Sequence, residues 1–560
     1  MIFATYSTFQ QMHGRKSSQQ ELVGRLRPCS RDSVISLCSF VGIVLKLWDA
    51  DPFDLAHYDH LISCAFDWLR GDWYRLAARF SEPEFVFHRR QLLLITKLAI
   101  LHCDEMGIDA WKLPPGYFGT ILLMANDHFH YEVPAGAAAE ELNKVKRLFA
   151  KLIPVAEGTG SRAEYKLVRS RLMLKHASQL RDHPRFIDIK SEFRTAKGIS
   201  VDDYEALCFG LFAKCATLSL EDLQRGASAF TFSEKSFHST AVDTQSVSLF
   251  LEDIAAAPSQ LSARIRAKDH GANDFTELRR RPLISTSGGY LPADILFAVE
   301  KFESGPYWAI NDISKKMGDR LRIFWGAVFE AYMNDLFRDC LDQSGALFVT
   351  DPRRIDDPSR QICDALILQE DSLVLLEYKA NMFRAETKYS GNFNGIVEEI
   401  EKKLVRDREG PKKKKRGVEQ LADAVAQLFG DRNEVVVAGL DLRAVTRVYP
   451  LLVTLDAIGG CLLISRLLNR YFSGFIDGRE FSGTRVMPLL CTDVQSIEEI
   501  SGCFRSMGLA RFIDHWLSKD PNFMATLTAF TVPGLVGHRN ERVAREWRKL
   551  SSEISARLFP

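Results

Sequence analysis

The sequence predicts an α/β domain in its second half, a mixed sheet flanked by helices, preceded by a mainly α-helical region. Three observations predict it. From Cys363 to Lys379, two short apolar runs flank the polar Glu370-Asp371-Ser372, which is a hairpin signal. Further apolar runs at Ala346–Val349, Glu434–Gly439, Val448–Thr454 and Arg485–Cys491 read as strands set among helical stretches. Upstream, between Val34 and Phe186, apolar residues recur mainly at helical spacing.

Taken in order, residues 1–35 are polar and basic with little periodicity and are expected to be loose. Residues 36–270 form the mainly helical region. Within it Gln91–His102 is apolar nearly all round, as a central bundle helix is. Ser200, followed by Asp202 and Asp203 in the first turn, caps a helix running to Cys215. Phe230–Val242 reads as a loop or ordered linker, Val247–Arg266 as helix, and Lys268–Asp274 as a turn-rich break. Residues 271–510 hold the α/β domain. It opens with a short strand pair at Arg281–Ile284 and Gly288–Tyr290, then a helix, Phe324–Phe337, with Phe329, Tyr332, Met333, Leu336 and Phe337 on one face. A helix starts at Gly417 and another spans Ser496–Met507. Residues 511–560 are a helical extension ending in the charged helix Arg539–Leu558. The most apolar run, Val448–Leu468, is broken by Asp456, Gly459, Gly460 and Arg466, so it reads as strand, turn and helix and argues against a membrane span.

The hairpin carries the chemistry. With a turn symmetric about Glu370-Asp371, Gln369 faces Ser372 and Asp364 faces Glu377. Directly opposed residues share a face of the sheet, and Lys379, two beyond Glu377, shares it too. Two carboxylates and an amine therefore meet at the end of an otherwise apolar hairpin. Burying them without a partner is costly. A divalent cation removes that cost, and Mg²⁺ accepts one or two carboxylates while keeping waters that a phosphate can displace. Metal-assisted phosphodiester hydrolysis suits this set.

Asp364, a gap of 12 residues and Glu377-Tyr378-Lys379 after an apolar strand resemble the PD-(D/E)XK nuclease superfamily, the restriction-endonuclease-like fold. The resemblance covers about residues 280–510 and has counterparts for the family's helix, strand, hairpin and following helix. It implies a metal-dependent endonuclease acting on DNA, with RNA left open, and Mg²⁺ or Mn²⁺ as cofactor. It implies Asp364 and Glu377 as metal ligands, Lys379 as the residue that positions water, Glu330 as an accessory acidic ligand and Gln420 as a supporting contact. Cys363 stands where the name-giving proline would be. Bacterial restriction or antiviral defence is the setting that the resemblance implies.

The tripeptide spacing alone is uninformative: Glu164-Tyr165-Lys166 and Glu401-Lys402-Lys403 share it without a preceding apolar strand or an opposing aspartate. The rival reading of Glu377 and Lys379 is a cross-strand ion pair at a sheet edge, in a non-catalytic nucleic-acid-binding or assembly protein. Lys412, Lys413, Lys414, Lys415 and Arg416, extended by Lys402, Lys403, Arg406 and Arg408, form the densest basic cluster. It reads as a nucleic-acid contact for flanking phosphates, as a solvated loop or as a nuclear-import signal. The 560 residues are 46% hydrophobic, with 73 Lys and Arg against 72 Asp and Glu, so any nucleic-acid affinity must come from local patches. Eleven scattered cysteines without a CxxC pair fit a reducing cytoplasm, and no signal peptide is apparent at the N-terminus. No GxxxxGK loop is present, which argues against an ATP-driven motor. The helical first half is expected to recognise a substrate feature or a partner protein and to restrain the nuclease. Self-association into a homo-oligomer stays open.

Overall fold

A computed structural model describes residues 8–47, 87–114, 116–129, 149, 152–153, 163–218, 229–238, 240–355, 357–389, 392–407, 414–430, 440–481, 483–523, 525–529 and 540–559. The chain divides into two compact units that do not follow its linear order. One takes Met1–Glu132, Lys190–Ala309 and Ser551–Pro560; the other takes Val133–Ile189 and Ile310–Leu550. A linear division at 270 and 510 therefore differs from the packing. Residues 133–189 and 511–550 belong to the unit that holds the hairpin, and 271–309 to the other.

The first unit is mainly helical. Arg89–His102 is buried from Arg90 to Ile100, and the Ser200 hydroxyl caps Val201–Ala216 by accepting from the Asp203 N–H. Three stretches differ from the sequence reading. The supposedly loose start carries two short helices, Phe9–His13 and Gln19–Leu26, each closed by a capping box, Thr8 with Gln11 and Ser18 with Glu21. Leu22 and Leu26 are fully buried, so local capping and core packing hold this segment. The stretch from Val247 to Arg266 is two helices, Thr244–Ile254 and Pro258–Lys268. Pro258 keeps Ala257 extended, and Ala255–Ala256 between the helices pairs in parallel with Leu283–Ile284. The third, Phe230–Val242, contains a helical turn at Glu234–His238, and Phe232 bridges to Tyr290. The expected strand pair is an antiparallel hairpin, Leu283–Thr286 with Gly289–Pro292.

The second unit is built on one six-stranded mixed sheet. Its elements are α1 (Ala163–Gln179), α2 (Lys315–Leu341), β1 (Leu347–Thr350), β2 (Ala365–Gln369), β3 (Ser372–Lys379), α3 (Gly417–Phe429), β4 (Arg447–Thr454), α4 (Ile464–Ile476), β5 (Arg485–Val486), β6 (Leu490–Asp493) and α5 (Val494–Met507). β1, β2 and β3 are antiparallel neighbours; β3, β4 and β6 run parallel. The run Arg485–Cys491 is thus two strands that pair successive parts of β4. Pro488, with no N–H for a ladder, lies in the break. The run Glu434–Gly439 lies outside the described residues.

Alternation along the strands sends the two faces to different helices. Leu366, Leu373, Leu375, Val448 and Leu452 join a core with residues of α3 and α4. On the other face the Tyr378 ring lies against Phe329 and Phe337 of α2, and Phe337 stacks on Phe504 of α5. α1 is tied in by a buried charge: Glu498 of α5 accepts from Arg169 of α1 and from the Tyr332 hydroxyl of α2. The two spacing controls are helical, Glu164-Tyr165-Lys166 in α1 and Glu401-Lys402-Lys403 in a π-type turn, Glu401–Val405. Among the described residues no helix is long and apolar enough to cross a membrane.

Candidate active site

The carboxyl ends of the parallel strands β3, β4 and β6 are in register, Lys379 beside Thr454 and Thr454 beside Asp493. Here the apolar character of β3 gives way to Glu377 and Lys379. The hairpin turns at Glu370-Asp371, with Glu370 in the left-handed region at φ 54°, and Gln369 pairs Ser372. The register runs to Ala365 opposite Leu376 and does not simply continue. The Asp364 N–H donates to the Leu376 carbonyl at 3.1 Å, and Asp364 Oδ2 accepts the Tyr378 N–H at 2.6 Å. A local departure from the ladder of this kind re-aims a side chain, as a bulge does. It anchors the Asp364 carboxylate on the backbone between Glu377 and Lys379.

Glu377 and Lys379 point to one face, and the Lys379 ammonium donates to Glu377 Oε1. The two side chains are 2% and 15% exposed, so this is a buried ion pair and not a surface one. α2 brings Glu330, the neighbour of the buried Phe329, to the same group. Burial, and then the Asp364 and Asp351 carboxylates, push the Glu330 carboxyl up to about 7, with Lys379 offsetting only part. Burial also raises Glu377 against the pull of Lys379, and Asp364 and Glu330 raise it further. Asp364 is raised by burial against Lys379 and the Tyr378 N–H. Burial alone would lower Lys379; Glu377 and Asp364 outweigh it and keep the ammonium charged.

Asp351 was missed by the sequence reading. It follows β1 with φ 49°, its N–H donates to the Asp364 carbonyl at 3.0 Å, and its charge acts on Glu330 and Asp364. Arg353 partners it at 2.8 Å. The only signal was an aspartate just beyond a strand; the irregular chain between β1 and β2 hides the register that brings it here.

Gln420 is placed differently from the expectation. The buried stripe of α3 runs through Gly417, Val418, Leu421, Ala422 and Val425, which leaves Gln420 on its margin. Among the described residues its side chain makes no hydrogen bond. Gly417 is what meets the lysine: a Cβ there would stand 3.3 Å from Lys379 Cε and 2.6 Å from Leu452 Cδ1. Cys363, in the proline's place, is buried, and its thiol donates to the Ala365 carbonyl at 3.1 Å.

Of the basic cluster, Arg408, Lys412 and Lys413 lie outside the described residues. Lys414–Lys415 forms a short ladder with Arg406–Asp407. Lys415 pairs with Asp423, Arg416 with Asp407 and Arg406 with Glu419, while Lys403 pairs with Glu399. These cations are internally paired rather than freely solvated, although exposed pairs of this kind hold weakly. Arg416 is near enough that its charge opposes that of Lys379.

Among the described residues no three His, Cys, Asp or Glu side chains stand close enough to hold a metal ion between them. Mg²⁺ needs only one or two carboxylates, and it prefers the hard oxygens found here. The upward shifts of Glu330 and Glu377 come first from burial and then from the neighbouring carboxylates, and a dication beside them would favour the ionised forms. Asp364 and Glu377 therefore fit such an ion, with Glu330 at its margin. Compared with protein-family models, curated proteins and solved structures, the chain matches none.

Proposed function

We propose that this strand end is a metal-dependent phosphodiesterase site of the PD-(D/E)XK kind, on a restriction-endonuclease-like unit, acting as an endonuclease on DNA. One observation carries the reading: Asp364, Glu377 and Lys379 converge at the buried end of an apolar strand, where Lys379 offsets only part of the carboxylate charge around it. Asp364 and Glu377 would hold Mg²⁺ or Mn²⁺. The ion's chemistry there is to polarise the phosphoryl oxygen and lower the pKa of water. Lys379 orients the attacking water and steadies negative charge beside it. Glu330, whose carboxyl burial and the Asp364 and Asp351 charges raise, would take up a proton from the attacking water. Lys415 and Arg416 exchange their carboxylate partners for backbone phosphates of the strand, and Lys414 beside them adds a third charge.

The setting that fits is restriction or antiviral defence in the cytoplasm, with the helical unit sensing a substrate feature or a partner protein. Purified wild type and Asp364→Ala are compared on plasmid and linear DNA, and on RNA, with and without EDTA. Wild type is expected to cut DNA only without EDTA, and the variant to lose nearly all cleavage with its fold intact. Equal activity in the two proteins overturns the reading. It would leave the non-catalytic alternative, which the existing Lys379–Glu377 pair favours.

A further inference from the structure

Buried lysines in this protein are held in two ways. Lys97, 3% exposed at its side chain, gives its ammonium to Asp269 Oδ1, the Gly271 carbonyl and the Asp274 carbonyl at 2.7, 2.7 and 3.2 Å. Lys388 reaches both oxygens of Asp456 at 3.0 Å, and Lys403 reaches Glu399 and the Met382 carbonyl. Each of these three has at least two acceptors for its N–H donors, whereas Lys301, 16% exposed at its side chain, reaches Asp253 Oδ2 at 2.9 Å, a single carboxylate that Lys197 shares. Lys379 reverses that balance, one ammonium among several carboxylates. Among the described residues its ammonium has one acceptor, Glu377 Oε1. What holds it otherwise is the charge of the surrounding carboxylates, while Arg416 pushes against it.

An ammonium held mainly by charge occupies the position where a stronger charge would do better. Resting on the site assigned above, we infer that Lys379 is the site's own place-holder for a divalent cation: it neutralises Glu377 until the cation displaces it, and only then is free for the substrate. Two consequences follow from charge alone. The site stays folded without metal, since Glu377 keeps a cationic partner and is never left buried and bare. The cation must also compete with a tethered positive charge, so affinity in the resting protein is lower than the carboxylates alone would give. The lysine side chain keeps a path outward, being 15% exposed against 2% for Glu377.

Calorimetric titration of Mg²⁺ into the full-length protein tests this, at about pH 9 so that protons compete little for the carboxylates. The proteins are wild type, Lys379→Met, Lys379→Arg and Glu377→Gln. Lys379→Met is expected to bind about tenfold tighter than wild type, because a like charge beside the ion is gone. Lys379→Arg, which keeps the charge, should bind no tighter than wild type, and Glu377→Gln should lose binding. Should Lys379→Met melt early without metal, the Mg²⁺-induced rise in melting temperature carries the same comparison and should exceed that of wild type. If wild type binds, Glu377→Gln does not, and Lys379→Met binds no tighter, the place-holder role is overturned while the site stands. If Glu377→Gln binds as wild type does, the site itself falls, and the inference with it.

Discussion

Glu330 occupies a helix position that sequence alone leaves ambiguous between a solvated residue and a ligand. Its surroundings make it a proton-binding group near neutrality, because burial and the Asp364 and Asp351 charges all disfavour the carboxylate. An ordinary glutamate titrates near 4.3, whereas this one is raised to about 7. Between those values the folded protein binds more protons than the unfolded chain, so Glu330 makes stability fall as pH rises through that window. Glu330→Gln, which cannot ionise, is expected to flatten this slope and to be the more stable protein above pH 7. Denaturant unfolding of both proteins at about pH 5, 6, 7 and 8 checks it, and parallel curves would contradict the account. Saturating Mg²⁺ should restore stability in the wild type at the alkaline end, because a cation relieves the same repulsion.

At the scale of elements, the hairpin was legible because its signal is local: apolar runs, a two-residue polar turn and period-two alternation fix both strands and the register back to Ala365. The last step was not legible. Asp364 leaves the ladder to accept the Tyr378 N–H, and no residue type announces such a turn. The α3 start at Gly417 was also readable, but the choice of Gln420 as the contact was not, since the facing position depends on how α3 lies on β4. The close approach at Gly417 has a measurable counterpart. Gly417→Ala would drive a methyl to 2.6 Å from Leu452 Cδ1 and 3.3 Å from Lys379 Cε. It is expected to cost about 1–3 kcal/mol through overpacking and to displace the lysine, so that Mg²⁺-dependent cleavage falls by more than the stability loss explains. Chemical denaturation and initial rates on plasmid DNA measure the two effects separately.

For the whole molecule, the packing of residues 133–189 with 310–550 could not be read from linear order, because the contacts that decide it join distant stretches. Phe149 and Ile153 enter the same core as β3 and α3. Arg169 neutralises Glu498, whose side chain is fully buried. A fragment starting at residue 270 therefore keeps the proposed catalytic residues and loses their support. Leaving Glu498 without its cation costs about 3–5 kcal/mol, so the fragment is expected to melt well below the intact chain or to aggregate. Thermal unfolding of the two decides it, and an equally stable fragment would show α1 to be dispensable. The same tie bears on how the protein is made. Arg169 and Glu498 are 329 positions apart. At ribosomal speeds α1 emerges roughly 15–70 s before its partner, and the parallel pairing of β3 with β4 also waits on chain not yet synthesised. Until α2 and the sheet follow, the apolar face of α1 has no core to enter, and its Arg169 waits longer still for Glu498, so yield in the cell should depend on translation rate and on chaperones that shield nascent chain.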